Sequence, residues 1–402
     1  MTLGSPAPAP APEPQIDRLI EAARRELAHG GLRAMSFRRL GEAVGATSGA
    51  LAYHLGAKAQ ILNEVVTRER RRDRRWHEEW LERLDGLERV DRQALAAILE
   101  QYLDALNQGE ARLTQLIWMD LVLRAPREAE VASLVAPWIA ERRGFWSQLF
   151  EGRIEDAAMW AGLAAAYVTD EGFNGLVVGD DLDYRLLRRM AIDRLSGRLA
   201  RDGVGREPLF SRLVRRMDPR LDLPAGEVAA DVMGPGPKRE AALAACQVLV
   251  DGGAEALTHR AVAERAGLSR SAVGYYFRTS ADLVRAAISG VYLIADGRAA
   301  PPPSPPGANP LVWRGLAVVR GELAVVLAAA RDPTLSPYVI DQRRWRGVNY
   351  VRLLRSKGYS GLDALDGQTA SLIATGQTVL SDVDGDDRRD LLVTWLIAPH
   401  KD

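Results

Sequence analysis

The sequence predicts an all-α protein. Two observations carry this prediction: apolar residues recur at helical spacing through most of the 402 residues, and the alternation typical of strands is nearly absent. Apolar residues make up 47% of the chain and charged residues 26%, which is typical of folded globular proteins. The formal net charge is zero, so any surface that binds nucleic acid must be local.

The first segment, residues 1–14, is rich in proline and alanine and is expected to be a disordered tail. It lacks the basic and then apolar order of a signal peptide. The chain has no run of about eighteen apolar residues, the length a membrane span needs. Cys246 is the single cysteine, which suits a reducing compartment. We therefore expect a cytoplasmic protein without membrane segment or cofactor.

A module of three short helices follows at residues 15–65. Its first apolar stripe, from Ile16 to Leu27, ends at a pair of glycines, which is typical of a helix end. Ser36 can cap a second helix, and Gly45 permits the tight turn after it. Thr47 can then cap a third helix. This order predicts a helix-turn-helix, whose last helix can enter the major groove of DNA.

The same order recurs after a shift of 222 positions, from Gly30 to Gly252. The stretch TSGALAYHLGAKAQIL, from Thr47, aligns without a gap with SRSAVGYYFRTSADLV, from Ser269. Thr258 is the second helix cap of this later copy. Because the period is as long as a domain, the pattern predicts a duplicated module and not a solenoid.

Proline- and glycine-rich segments separate the modules from each other and interrupt the second half. One is a predicted interdomain linker, and the other, residues 297–310, is a predicted semi-rigid spacer. The predicted layout is a tail at 1–14, a helix-turn-helix domain at 15–65, a helical regulatory domain at 66–217, a linker at 218–237, a second helix-turn-helix domain at 238–290 and a shortened helical domain at 291–402.

Both modules resemble the DNA-binding domain of the tetracycline-repressor (TetR) family. The residues that carry the resemblance are SFRRLGEAVGATSGALAYHLGAKAQIL and THRAVAERAGLSRSAVGYYFRTSADLV. The resemblance implies two tandem units, each with an N-terminal helix-turn-helix domain followed by a helical regulatory domain. It also implies a transcriptional regulator, a repressor that responds to an unknown small-molecule effector, with a double-stranded DNA operator as its partner.

The resemblance also implies which residues contact DNA. Base edges are expected to meet the first turn of each third helix, where Arg270 could bind guanine with two hydrogen bonds. Aromatic and basic residues later in that helix match positions that contact phosphates, which set register without reading sequence. The expected contacts are Ser36, Arg38, Thr47, Ser48, Gly49, Tyr53, His54 and Lys58 in the first copy, and Thr258, Arg260, Ser269, Arg270, Ser271, Tyr275 and Tyr276 in the second.

The helices after the first module carry many aromatic residues. Aromatic residues at helical spacing usually form a core, but a mostly apolar effector pocket is the other interpretation. The candidates for that pocket are Tyr102, Gln115, Trp118, Met119, Trp138, Trp160, Tyr167 and Phe173. The charged run RERRRDRR, residues 68–75, is interpreted as a solvated helix face in preference to a DNA patch.

The two copies differ in charge. Residues 15–75 carry 13 Lys/Arg against 7 Asp/Glu, whereas residues 238–290 carry 7 against 5. Because phosphate neutralisation supplies most non-specific affinity, the second copy is expected to bind DNA more weakly or not at all. The alternative function is therefore a helical protein that binds a ligand or a partner, with one or both DNA-binding domains degenerate.

The duplication itself predicts an architecture. The family normally works as a homodimer, in which two recognition helices meet half-sites about 34–36 Å apart. A fused pair could form an intrachain pseudo-dimer, and the differing turns TSG and SRS fit a non-palindromic operator. Association into a homodimer with four such domains stays open. No phosphate-binding glycine loop, Ser/His/Asp order or HExxH motif occurs, so no enzymatic activity is expected.

Overall fold

The computed structural model describes residues 13–47, 58–199, 207–221, 236–295, 298–300, 310–356, 358–359, 361–386, 392 and 394–396. Throughout these residues the regular structure is helical, which confirms the all-α prediction. None of the helices in this described part is long and apolar enough to cross a membrane. We call the described residues up to 221 unit 1 and those from 236 onward unit 2.

Unit 1 begins with the helices of the first predicted module, which we call head 1, and continues into a helical core. Its helices are α1 (Glu13–Ala34), α2 (Phe37–Val44), α3 (Lys58–Arg83), α4 (Arg92–Leu106), α5 (Gly109–Arg124), α6 (Ala129–Phe150), α7 (Ala157–Val178), α8 (Leu182–Leu195) and α9 (Glu207–Arg216).

Unit 2 repeats this order in shortened form, beginning with the second predicted module, which we call head 2. Its helices are α10 (Pro237–Gly252), α11 (His259–Ala266), α12 (Arg270–Tyr276), α13 (Ser280–Ala295), α14 (Pro310–Arg331), α15 (Ser336–Trp345), α16 (Val348–Ser356) and α17 (Ala364–Asp384), with 3₁₀ turns at Ala254–Ala256 and Pro333–Leu335.

Several core helices begin where the sequence supplies an aspartate cap. The Asp91 carboxylate accepts a hydrogen bond from the backbone of Ala94 at 2.7 Å, and Asp181 accepts one from Tyr184 at 2.8 Å. Asp363 opens α17 with a reciprocal capping box. Each cap satisfies a backbone N–H that has no partner within its own helix.

The two heads share unusual backbone conformations at equivalent positions, which supports the predicted duplication. Helix α1 is kinked at Gly31, and α10 ends just before the equivalent Gly253; both glycines have a φ of 73°. The turn after the second helix uses left-handed glycines, with φ of 69° at Gly45 and 66° at Gly267. An L-residue in that region would be strained, so the glycines define both turns.

Helix α7 lies at the centre of the molecule. Every residue from Ala161 to Leu176 is buried, because α4, α5 and α6 of unit 1 and α14, α15 and α17 of unit 2 all pack on it. A helix that is buried on all sides needs neighbours on all sides. The two units therefore share one core and do not have separate ones.

The closest helix pair across the units is α7 with α17. A side chain on Gly376 would place its Cβ only 1.8 Å from the carbonyl oxygen of Ala166, so a glycine is required at this crossing. The sequence of α7 is rich in alanine and glycine here, and such small residues allow two helix backbones to approach closely. Because these two helices contact each other over a long stretch, they form the main link between the units.

Buried ion pairs on both sides of this contact fix the alignment of the two units. The Arg343 guanidinium binds both oxygens of Glu171 at 3.0 and 3.2 Å, and neither side chain is exposed. Arg194 of α8 binds Asp366 at 2.7 Å at the start of α17. Near the C-terminus, the Trp395 indole N–H donates to the carbonyl of Leu195 at 3.2 Å.

Some boundaries differ from those expected. Helix α1 begins at Glu13, inside the segment predicted as a tail, of which residues 1–12 are outside the described residues. Helix α9 was not foreseen; it lies just before the predicted linker, of which 222–235 are outside the described residues. Most of the predicted proline spacer, 301–309, is also outside them.

The glycine crossing can be tested by substitution. Gly376→Ala should lower the free energy of unfolding by about 2 kcal/mol or more, since the new Cβ forces α7 and α17 apart. In contrast, Gly144→Ala in the exposed part of α6, where a Cβ meets no atom within 4 Å, should raise it by up to about 1 kcal/mol. Urea denaturation measures both, and a Gly376→Ala protein as stable as wild type would contradict the close approach.

Candidate nucleic-acid interface

In head 2, local hydrogen bonds build the helix-turn-helix. The Thr258 hydroxyl accepts from the backbone of Ala261 at 3.1 Å and opens α11. After the Gly267 turn, the Ser269 hydroxyl accepts from Ala272 at 3.1 Å and opens α12. These are the caps that the sequence predicted, and they fix where the short helix α12 begins.

One side of α12 anchors it to the rest of head 2. Val273 is fully buried and Phe277 nearly so. The imidazole of His259, at the start of α11, donates through Nε2 to the carbonyl oxygen of Phe277 at 2.6 Å. The sequence analysis missed this histidine, since nothing in the local pattern shows that the ends of α11 and α12 meet. The anchored side leaves the opposite side of α12 free for solvent.

The exposed side of α12 carries the residues expected to bind DNA. Ser269, Arg270 and Ser271 are all exposed in its first turn, and Arg270 has no hydrogen bond or ion pair with any residue in the described part of the chain. Tyr275 is 80% exposed and packs edge-on against the half-buried Tyr276, with ring centroids 5.5 Å apart. A free guanidinium and a phenol on one protruding helix suit base edges and phosphates, respectively.

Equivalent arginines at the start of the second helix are exposed in both heads. Arg38 pairs with Glu42 at 3.1 Å, and Arg260 pairs with Glu264 at 2.8 Å. Exposed pairs of this kind contribute little to stability, so a phosphate could replace the glutamate at little cost.

Head 1 is described only in part. Ser36 accepts from the backbone of Arg39 and caps α2, and Thr47 is exposed. The other predicted contacts Ser48, Gly49, Tyr53 and His54 lie outside the described residues.

Lys58 has a local role that differs from the phosphate contact expected for it. Its ammonium donates to the carbonyl oxygen of Leu32 at 2.5 Å, near the end of α1, where carbonyls lack helical partners. Burial and then the charge of Arg124 lower its pKa. A phosphate contact by Lys58 would use its other N–H donors or replace this carbonyl.

The predicted effector residues are in the core of unit 1. Trp160 is half-buried, whereas the others are almost fully buried. The buried ones are Tyr102, Gln115, Trp118, Met119, Trp138, Tyr167 and Phe173. Of these, Tyr102 and Trp118 line a cavity of about 20 Å³, enough for roughly one water molecule.

A charged group fills the space that a ligand would need. The guanidinium of Arg142 makes two hydrogen bonds to Asp73, at 2.8 and 3.0 Å, and a third to Gln115 at 2.8 Å. It lies 4.1 Å from the ring centre of Trp118, and Trp138 donates to Asp73 at 2.6 Å. The core of unit 1 is thus closed around a satisfied ion pair.

Two acids of the run RERRRDRR organise this core. Asp73 binds Arg142, and Glu69 binds Arg24 at 2.8 Å and accepts from Thr114 at 2.7 Å. The arginines between these two acids are exposed or paired at the surface. The interpretation of the run as a solvated helix face therefore applies to the arginines and not to the two buried acids. Among the described residues, no group of acids, histidines and cysteines could hold a metal ion.

His77 gives the core a pH dependence. Its Nε2 lies 2.8 Å from the Tyr102 hydroxyl, and burial lowers its pKa to about 4 despite the nearby Asp73. Because this pKa is below the value of about 6.5 for an unfolded histidine, protonation favours unfolding as the pH falls from 6.5 toward 4.

Between pH 7 and pH 4.5, this histidine should remove about 2 kcal/mol of stability. His77→Gln keeps a polar partner for Tyr102 but does not titrate, so its stability should fall by about 2 kcal/mol less than that of wild type over the same range. Urea denaturation of both proteins at the two pH values measures the difference. Equal losses would show that His77 is charged in the folded protein or exposed.

The helix-turn-helix geometry agrees with a comparison against known families. The family described as "Bacterial regulatory proteins, tetR family" matches at residues 19–65 and again at 243–287. Both segments lie inside the predicted domains at 15–65 and 238–290. No curated protein matches the chain. With the duplicated glycine turns, the two matches show that this chain carries two tandem N-terminal domains of the tetR family of bacterial regulatory proteins.

Proposed function

We propose that this protein is a small-molecule-responsive transcriptional repressor in which heads 1 and 2 act as an intrachain pseudo-dimer. The observation that carries the proposal is the packing of α7 and α8 of unit 1 against α17 and the segment 394–396 of unit 2. Regulators of this family are expected to pair through the last helices of two subunits. Here the corresponding contact is made within one chain.

Contacts near the heads support the same arrangement, because each core also binds the opposite head. Arg124, at the end of α5, binds Glu255 of head 2 at 2.7 Å. Arg331, at the end of α14, donates to the carbonyl oxygens of Leu27 and Ala28 in head 1, both at 3.1 Å. A change in either core would therefore alter how both heads are held.

Fusion gives two advantages over a homodimer. The two heads are always at high effective concentration, so pairing does not depend on the amount of protein. The heads can also diverge, and the first turn of α12, with its exposed Arg270, differs from the sequence TSG in head 1. We propose an operator with two unlike half-sites, of which head 2 reads one.

Ligand response would act through the relative populations of two head spacings. An effector lowers DNA affinity only if it binds more tightly to the conformation whose head spacing does not fit the operator. The size of the effect is set by the difference between its affinities for the two conformations. If it binds among the predicted core residues, Arg142 must first leave its place beside Trp118. The proposed role is regulatory, in the cytoplasm, and involves no catalysis.

A second candidate function is a ligand- or partner-binding protein with degenerate heads. The internal hydrogen bond of Lys58 and the small positive surplus of head 2 favour it. In that case the chain would bind no DNA even at low salt, yet a small molecule would still raise its thermal stability.

Base recognition by head 2 can be tested with DNA selected from a random pool. Arg270→Ala should weaken binding to the selected site by about 1–3 kcal/mol and relax the preference at one base pair. Arg89→Ala removes an equally exposed arginine from the turn before α4, outside both heads, and should leave affinity unchanged. Fluorescence anisotropy at several salt concentrations measures both. Equal affinity of Arg270→Ala and wild type would contradict direct readout by α12.

The pseudo-dimer predicts the stoichiometry of the complex. One chain should bind one operator, and the selected site should have two unlike halves separated by about one helical turn. Analytical ultracentrifugation of the complex with labelled DNA gives the ratio. Two chains on a palindromic site would show instead that the chain works as a homodimer with four heads.

A further inference from the structure

A cavity of about 320 Å³ lies where the two heads meet the two cores. His29 and Gly30, at the end of α1, line it from head 1, and residues 252–255, after α10, line it from head 2. The end of α5 with its following turn and the C-terminal part of α14 form the remaining walls. Its volume is at the lower end of the range of about 300–1,000 Å³ typical of small-molecule sites.

One wall of the cavity is apolar. Leucine, valine and alanine side chains from four different helices and a 3₁₀ turn converge there, which suits a hydrocarbon or aryl group. The residues concerned are Leu123, Leu249, Val284, Ala324, Leu327, Ala328 and Leu335.

The lining also contains four arginines, of which three are paired with carboxylates. Arg320 binds Asp382 at 2.6 Å. Arg124 and Arg331 share Asp120, at 2.8 and 3.0 Å, and both also bind the carboxylate of Glu255. Their charges are therefore largely compensated within the protein.

Arg127 is the fourth arginine and is bound differently. Its guanidinium donates to two backbone carbonyls, those of Leu123 at 3.0 Å and Val250, and it makes no ion pair with a carboxylate in the described part of the chain. Burial, followed by the like charges of Arg320 and Arg124, lowers its pKa. A cation held in this way would gain from an added anion.

We infer that this cavity binds an amphipathic monoanion, a carboxylate on an apolar body, with its carboxylate at Arg127 and its body against the leucine wall. The acids that face the cavity do not compete for Arg127: Asp120 and Glu255 are paired as described, and Asp332 accepts two hydrogen bonds from Thr334. The site is separate from the predicted effector residues in the core of unit 1.

The position of the site gives it a regulatory role, and this part of the inference rests on the proposed function. A bound ligand would lie between Gly30 of head 1 and Gly253 of head 2. It would therefore contact both heads at the ends of their first helices. A ligand there favours one spacing of the heads over the others.

Octanoate is a suitable probe, with 1-octanol as its uncharged counterpart. Isothermal titration of the full chain should give tighter binding of octanoate than of 1-octanol. Arg127→Gln should weaken octanoate binding at least tenfold and leave 1-octanol binding within twofold. Ala328→Leu, which fills the apolar side, should weaken both. Arg89→Gln, an exposed arginine outside the cavity, serves as the matched control and should bind octanoate like wild type.

Each variant is first checked for its helical circular dichroism and melting temperature, so that a loss of binding is not a loss of fold. The site is disproved if wild type does not bind octanoate, or if folded Arg127→Gln binds it as tightly as wild type. DNA anisotropy then tests the regulatory role: octanoate should lower wild-type affinity for the selected operator and not that of Arg127→Gln. If octanoate binds but the protein binds no DNA, the proposed function fails and the anion site remains.

Discussion

The close approach of α7 and α17 determines how the two units are placed against each other. Gly376 lies against the backbone of Ala166, and no larger residue fits there without separating the helices. Since α7 is buried on all sides, unit 1 has no complete core until unit 2 supplies α14, α15 and α17. The positions of the two heads follow from this crossing, because each head is attached to a core whose place is fixed by it.

The buried ion pairs around this crossing act mainly on specificity. The free energy needed to remove a guanidinium and a carboxylate from water is nearly as large as the free energy gained from their attraction. Pairs such as Arg343 with Glu171 therefore add little net stability. A shifted register, however, would leave either charge buried and alone, which costs several kcal/mol. Asp170, bound by Arg346, shows how costly the burial is, since it raises the pKa of this carboxyl to about 6. The pairs therefore select one alignment of the two units.

Local features of the fold could be predicted from the sequence and long-range ones could not. The caps Thr258 and Ser269 and the turns at Gly45 and Gly267 depend on neighbouring residues, and they occur where the sequence placed them. Arg343 and Glu171 are 172 residues apart, and no periodicity reveals that they meet. The inward direction of Asp73 in a run of arginines is likewise set by Arg142 on another helix. The residues of head 2 that are expected to contact DNA are of the local kind, whereas the cavity between the heads depends on long-range contacts.

Duplication within one chain also removes a restriction that symmetry places on regulation. In a homodimer, a site between the two heads must lie on the twofold axis or occur twice. Here the equivalent positions in the two heads have diverged. Lys58, which donates to a carbonyl of head 1, corresponds to Ser280 in head 2. Arg24, which pairs with Glu69, corresponds to Cys246, a buried thiol. The surroundings of the two heads are consequently different, although their glycine turns are alike. One asymmetric cavity with one under-compensated arginine can then bias the spacing of both heads, which two identical subunits could achieve only with a ligand on their axis.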